Sequence, residues 1–365
     1  MKIPFTRLHS VSPLVETSEA APKFGNAPMQ VFYNPLFPSF RAWQLPEPPS
    51  PPGLLASLAS EHQASSKEKS ADKPATPSNG SIGQSPVVQA FLLRLQELGL
   101  SYLPGTDGDD ALSGWSRSLA DGGDSNDVID VWSDSVVDAG AGNDSVRAWS
   151  GSVVYGGAGN DQIDVWSDSA VDAGDGDDMV RAWSNTVTMG GAGNDTISAW
   201  SESQVDGGAG NDAISVWSNG RAYGGSGDDT ISARVGGYVE GGAGDDTIDA
   251  DNGTIVSGGP GDDVISADRG ATVLFNVGDG KDTVFALRDV TIKLGEGLSA
   301  ENMNVTMSGN RATLSFGDGS DQLTLNLTGV YPVNISFADG TSMEIKADVL
   351  SKVDLRALAG VTRLA

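Results

Sequence analysis

The sequence predicts an all-β fold: a parallel β-roll of ten 17-residue coils with two short strands per coil. An N-terminal capping helix, a C-terminal β-rich cap and a disordered Pro-rich leader complete the expected organisation. Three observations predict the roll. From Gly105 to residue 274 the chain repeats every 17 residues without a slip, in units that begin at Gly105, Gly122, Ala139, Gly156, Ala173, Gly190, Gly207, Gly224, Gly241 and Gly258. Position 8 of every unit is Leu, Val or Ile, and position 16 is Val in seven units and Ala or Thr in the rest. Each unit opens on a Gly-rich stretch, as in GGAGNDTISAWSESQVD at 190–206. A fixed period of this length means stacked units. Glycine supplies the tight turn, a short strand with position 8 inward follows, and position 16 begins the facing strand. At about 4.8 Å per coil the stack is roughly 48 Å long.

The elements follow in chain order. Residues 1–84 are rich in Pro, Ser, Ala and Glu, with PEPPSPP at 46–52. Such composition cannot bury enough apolar surface to offset chain entropy, so a disordered leader is expected. Within it, VFYNPLFPSFRAW at 31–43 reads as a sticky linker or, alternatively, a docking segment. Residues 85–104 are expected to form a helical cap. Ser85 suits the N-cap, Pro86 the first helical position and Gly99 the stop, with Val88, Phe91, Leu92, Leu95 and Leu98 on one face. The roll occupies 105–274. Residues 275–365 hold strand-like stretches broken by Gly/Asp turns, expected to cap the far end, and KADVLSKVDLRALAG at 346–360 reads as a closing helix.

Charge locates the chemistry. The chain carries 22 Lys/Arg against 49 Asp/Glu, net −27. Residues 105–274 alone hold 31 acidic residues and 6 Arg, net −25. Nucleic acid is therefore an unsuitable partner, since its capture needs Lys/Arg clusters. There is no Cys, and the only His are His9 and His62 in the leader, so Cys-ligated metals, thiol catalysis and HExxH zinc chemistry are excluded. No apolar run reaches the roughly 20 residues of a transmembrane helix, and the first residues have no apolar core of a signal peptide.

Position 6 is Asp in all ten units: Asp110, Asp127, Asp144, Asp161, Asp178, Asp195, Asp212, Asp229, Asp246 and Asp263. Stacking puts these carboxylates in a row, where two of them about 5 Å apart repel by roughly 3 kcal/mol at an effective dielectric of about 20. A hard divalent cation between successive turns reverses the sign, and Ca²⁺ suits a shell of carboxylates and carbonyls better than Mg²⁺ does. The motif GGAGND-x-I-x resembles the calcium-binding nonapeptide of the RTX (haemolysin-type) family. The resemblance covers about half the chain. It implies several Ca²⁺ ions, about one per gap, held by these aspartates, with Asp279 and Asp282 completing a last site. RTX rolls commonly place two nonapeptides in each coil, whereas this chain pairs one with an eight-residue segment such as AWSESQVD. Calcium is therefore expected on one edge only.

Position 11 is Trp in seven consecutive units: Trp115, Trp132, Trp149, Trp166, Trp183, Trp200 and Trp217. This file reads either as a structural ladder sealing the calcium-free edge or as a flat aromatic strip for sugar chains or another surface. At position 9, Asp130, Arg147, Asp164 and Arg181 alternate in sign.

The functional expectation is a secreted, non-enzymatic bacterial calcium-binding protein, extracellular or at the cell surface, whose roll folds on Ca²⁺ outside the cell. Two alternatives remain: an adhesin or polysaccharide-binding module using the Trp edge, and an exported effector whose leader carries the activity. The resemblance implies type I secretion machinery; the Pro/Ser-rich leader equally suits type III.

Overall fold

A computed structural model describes residues 93, 99–328 and 331–347. The expected leader lies outside these residues, as do the helices expected over 85–99 and 346–360 except at residues 93, 99, 346 and 347. Every named element among the described residues is a strand. None of their helices is long and apolar enough to cross a membrane.

As far as Thr291–Leu294, successive strands alternate between two sheets of fourteen strands each, so a strand's neighbour in its own sheet lies one coil away. One sheet contains Val128–Val131, Ser145–Ala148, Gln162–Val165 and Met179–Ser184; the facing sheet contains Val136–Ala141, Val153–Ala158, Ala170–Asp175 and Val187–Ala192. Pairing is parallel and holds the 17-residue register: Val146 stands beside Ile163, and Val154 beside Val171. Strands span four to six residues in most coils.

The core is a thin seam between the sheets. Positions 8 and 10 point inward from one sheet, as in Ile163 and Val165. From the other come position 16 and two positions the sequence reading left out, 14 and 1, as in Val171, Ser169 and Ala173. Period-2 alternation explains the addition, because 14, 16 and the next unit's 1 lie on one face of a continuous strand.

The roll is longer than the repeat. Ser101–Thr106 pairs with Ser118–Asp124, so the stack starts N-terminal to Gly105, inside the stretch assigned to the cap. Beyond residue 274 it continues with a 19-residue step that brings Val284 beside Ile265. Asp321–Leu327 and Val333–Ser336 extend both sheets in parallel. Antiparallel strands then end them: Arg311–Phe316 and Met303–Ser308 on one, Ser342–Ile345 on the other. They put a hairpin edge where another parallel coil would otherwise add.

The turn opposite the Gly-rich one has a fixed conformation. Position 13 is left-handed in every unit, with φ of 67° at Arg117, 59° at Asp134, 62° at Asp168, 53° at Asn185 and 56° at Glu202. Eight of the ten residues are Gly, Asp or Asn, which tolerate this region, so the stack imposes it against preference only at Arg117 and Glu202.

Candidate metal centre

The Gly-rich turns pack backbone on backbone. Gly208, at position 2, has φ of 107°, and a Cβ there would lie 2.2 Å from the Gly191 carbonyl oxygen one coil back. At position 4, Gly210 has φ of 128° and would meet the Gly193 oxygen at 1.9 Å. Only glycine combines that dihedral with that approach. The turns are thereby close enough for their polar side chains to bond from coil to coil.

Two such ladders run along this edge in opposite senses. At position 5, exposed Asn and Asp side chains accept from the following coil, as when Asn143 N–H donates to Asn126 Oδ1 at 2.7 Å. At position 6, the acceptor belongs to the following coil. Asp110 N–H donates to Asp127 Oδ1 at 2.8 Å, Asp127 N–H to Asp144 Oδ1 at 2.7 Å, and so on to Asp246 N–H and Asp263 Oδ1 at 2.8 Å. Asp282 extends the file across the 19-residue step, accepting from Asp263 N–H at 3.2 Å.

This arrangement uses only half of each carboxylate. The Oδ2 atoms of Asp127, Asp144, Asp161, Asp178, Asp195, Asp212, Asp229, Asp246, Asp263 and Asp282 are buried and have no hydrogen-bond partner. Buried polar atoms are nearly always partnered, so a row of unmet acceptors in register requires a proton or a cation. Two aspartates singled out from the sequence differ. Asp110, in the first coil, turns its Oδ2 to Thr106, accepting from N–H at 2.6 Å and from Oγ1 at 2.9 Å. Asp279 turns to its own loop, where its Oδ2 accepts from Asn276 N–H at 2.7 Å.

Burial pushes these acids up. Asp144, Asp161 and Asp178 are raised to about 6, and Asp195, Asp229, Asp246 and Asp263 to about 7. Desolvation is the largest cause. The bond from the preceding coil's N–H opposes it, and neighbouring carboxylates add to it. Asp282 reaches about 8, driven by burial and then by Asp263.

No group of three or more acidic or His side chains that could hold an ion occurs among the described residues. A site on this edge would therefore draw one or two carboxylates per gap and the rest of its shell from backbone oxygen or water. That all-oxygen donor set, together with ten orphaned anionic oxygens, fits a hard cation.

Comparison with known proteins agrees with this chemistry. The family model described as RTX calcium-binding nonapeptide repeat (4 copies) matches residues 133–152, 152–169, 189–201, 217–236, 238–254 and 255–274. The chain carries RTX calcium-binding repeats. Among solved structures, the extracellular lipase LipA from Serratia marcescens is 19% identical over 62% of this chain, with a TM-score of 0.24. The match spans 37% of that lipase's length. No curated protein matches.

The edge opposite the RTX turns repeats the same hydrogen-bond logic with a neutral acceptor. Ser118 N–H donates to Ser135 Oγ at 3.1 Å, Ser135 N–H to Ser152 Oγ at 3.3 Å and Ser152 N–H to Ser169 Oγ at 3.2 Å. A hydroxyl also has a proton to give, and Ser169 and Ser203 donate theirs to Ser167 and Ser201 carbonyls at 3.2 Å. That edge closes without charge. The last Ser of each WSxS stretch was visible in the sequence, but its inward role was not.

The Trp file of the RTX coils stands on the outer face of the sheet that contains Met179–Ser184. Successive ring centroids are 5.7, 5.1, 4.4, 5.9, 4.6 and 6.4 Å apart from Trp115 to Trp217, all stacked. The Arg234 guanidinium closes the column 5.7 Å from the Trp217 ring centroid. Indole faces therefore meet one another and the strip presents ring edges to solvent. A flat platform for sugar rings needs free faces, and within this file the unstacked one is that of Trp115, which is 80% exposed.

Proposed function

We propose that this chain is a secreted, non-enzymatic calcium-binding protein whose RTX roll gains its order from Ca²⁺ outside the cell. The observation that carries the reading is the file of buried, partnerless Oδ2 atoms from Asp127 to Asp282. Asp127, Asp144, Asp161, Asp178, Asp195, Asp212, Asp229, Asp246, Asp263 and Asp282 would hold the ions, about one per gap, along the Gly-rich edge alone. Asp110 would close the first gap through its backbone. Bound Ca²⁺ would supply positive charge to buried oxygens that accept no hydrogen bond. The aspartates' own work is geometric: each Oδ1 locks the preceding coil through its N–H, which aims the second oxygen into the turn. The Ser edge needs no such help.

Three considerations support the extracellular setting. Extracellular Ca²⁺ modules commonly have dissociation constants near 10⁻⁴–10⁻³ M, well above cytosolic calcium. A roll this acidic, −25 over 170 residues, repels itself until neutralised. Binding free energy is then folding free energy. In this reading the calcium module is the roll from Ser101 through Asp282, the antiparallel strands Met303–Ser308, Arg311–Phe316 and Ser342–Ile345 are its terminal cap, and an appended leader precedes it. Equilibrium dialysis of the full chain against Ca²⁺ tests it. Several ions should bind per chain, and Asp195→Asn with Asp229→Asn should bind fewer. Unchanged stoichiometry would move the site off this edge.

A further inference from the structure

The outer face of the Trp-bearing sheet matches itself. Positions 7, 9 and 11 of each coil point outward there, as in Met179, Arg181 and Trp183. Across six coils, position 7 reads Ala111, Val128, Ser145, Gln162, Met179, Thr196, and position 9 reads Ser113, Asp130, Arg147, Asp164, Arg181, Ser198. The ladder puts Asp130 beside Arg147, Arg147 beside Asp164 and Asp164 beside Arg181.

A two-fold axis along the strand direction, between Arg147 and Asp164, reverses coil order in a second copy while keeping each position over its own kind. Position 9 then pairs Arg147 with Asp164 and Asp130 with Arg181, opposite charges throughout, with Ser113 over Ser198. Position 7 pairs Val128, 55% exposed, with Met179, 41% exposed, and Ser145 with Gln162, so apolar meets apolar and polar meets polar. Position 11 lays Trp149 against Trp166 and Trp132 against Trp183, edge to edge. A two-fold along the roll axis would instead set Asp130 on Asp130. We propose that this face is a self-association surface, and that a second copy of this chain docks on it about the strand-parallel axis.

The charges within one chain leave room for this. Arg147 contacts Asp130 at 3.6 Å and Arg181 contacts Asp164 at 3.5 Å, long exposed pairs that occupy few of the five guanidinium donors. The strip ends where self-matching ends, since position 9 turns to Ser198, Ser215 and Ser232 and Arg234 replaces Trp. Six coils about 4.8 Å apart and three positions about 6.6 Å apart cover roughly 400–600 Å² per partner, under the roughly 800 Å² of a standard interface. The association is accordingly weak and salt-sensitive.

Sedimentation velocity of the calcium-loaded full chain over a wide range of concentration tests the proposal. The wild type should show a monomer–dimer equilibrium that weakens with salt. Arg147→Glu with Arg181→Glu sets like charges opposite one another and should weaken it by roughly tenfold or more. The four-fold exchange Asp130→Arg, Arg147→Asp, Asp164→Arg, Arg181→Asp restores the alternation and should restore the dimer, which general damage to the fold would not do. Circular dichroism on each variant checks that the roll is intact. A monomer at every concentration, or association indifferent to both charge variants, overturns the proposal. So does a strip that retains a polysaccharide while the chain stays monomeric.

Discussion

Asp178 N–H donates to Asp195 Oδ1 at 2.8 Å, while Asp195 Oδ2 is buried without a donor. One carboxylate thus fastens two coils and leaves an anionic oxygen unmet. Asp195→Asn keeps an acceptor for the Asp178 N–H and removes the charge. A lost charge-assisted contact of about 1.5–3 kcal/mol corresponds to roughly 10–100-fold, so the half-saturating calcium concentration should rise by that order. Calorimetric titration of wild type and variant measures it.

Protons should substitute for metal. Asp144 is raised to about 6, Asp195 to about 7 and Asp282 to about 8, all above the ordinary carboxylate value of 3.8. A folded state with raised values binds protons more tightly than the unfolded chain. Its contribution to stability is therefore full below about pH 4 and is lost as pH rises through 6–8. In chelator, the metal-free roll should hold more β-structure at pH 5 than at pH 8 by far-UV circular dichroism. With calcium present the order reverses in the binding itself, which should tighten with pH and release protons into weak buffer.

The two edges should respond differently. Ser152→Ala removes the acceptor of the Ser135 N–H and should cost about 1 kcal/mol of stability, seen as a lower melting temperature. The number of calcium ions bound should stay the same. Asp161→Asn, on the other edge, should lower that number in the same dialysis experiment.

Glycine substitutions should rank by what a side chain meets. Gly208→Ala drives a Cβ to 2.2 Å from a backbone oxygen at φ of 107°, so neither neighbour nor dihedral can yield. Gly253→Ala meets nothing within 4 Å and carries only the strain of φ 78°, about 1 kcal/mol. Melting in saturating calcium should fall far more for the first.

Stacking explains what the sequence revealed. Equivalent residues touch across coils, so Asp at position 6, Ile or Val at position 8 and Trp at position 11 recur visibly and mark the acid edge, core and aromatic file. The period also hid things. Position 13 is left-handed throughout, but Arg117 and Glu202 blur its Gly, Asp and Asn pattern, because there the turn is imposed by neighbouring coils. The Ser135 and Ser152 hydroxyls face inward where Ser reads as a surface residue. The extension beyond residue 274 escaped because its step is 19, and that of Ser101–Thr106 because its sequence lacks the glycine pattern. Periodicity located the Trp file and coil spacing put its indoles within stacking range, which the structure bears out with centroids 4.4 Å apart at Trp149 and Trp166.

The dependence of order on the Asp127-to-Asp282 file is tested most directly by far-UV circular dichroism of the full chain at pH 8, first in EGTA and then through a calcium titration. The account predicts a largely unordered spectrum in chelator and a cooperative rise of β-signal as calcium enters the submillimolar to millimolar range. A spectrum already fully β-structured in EGTA at that pH, unchanged by calcium, would contradict it.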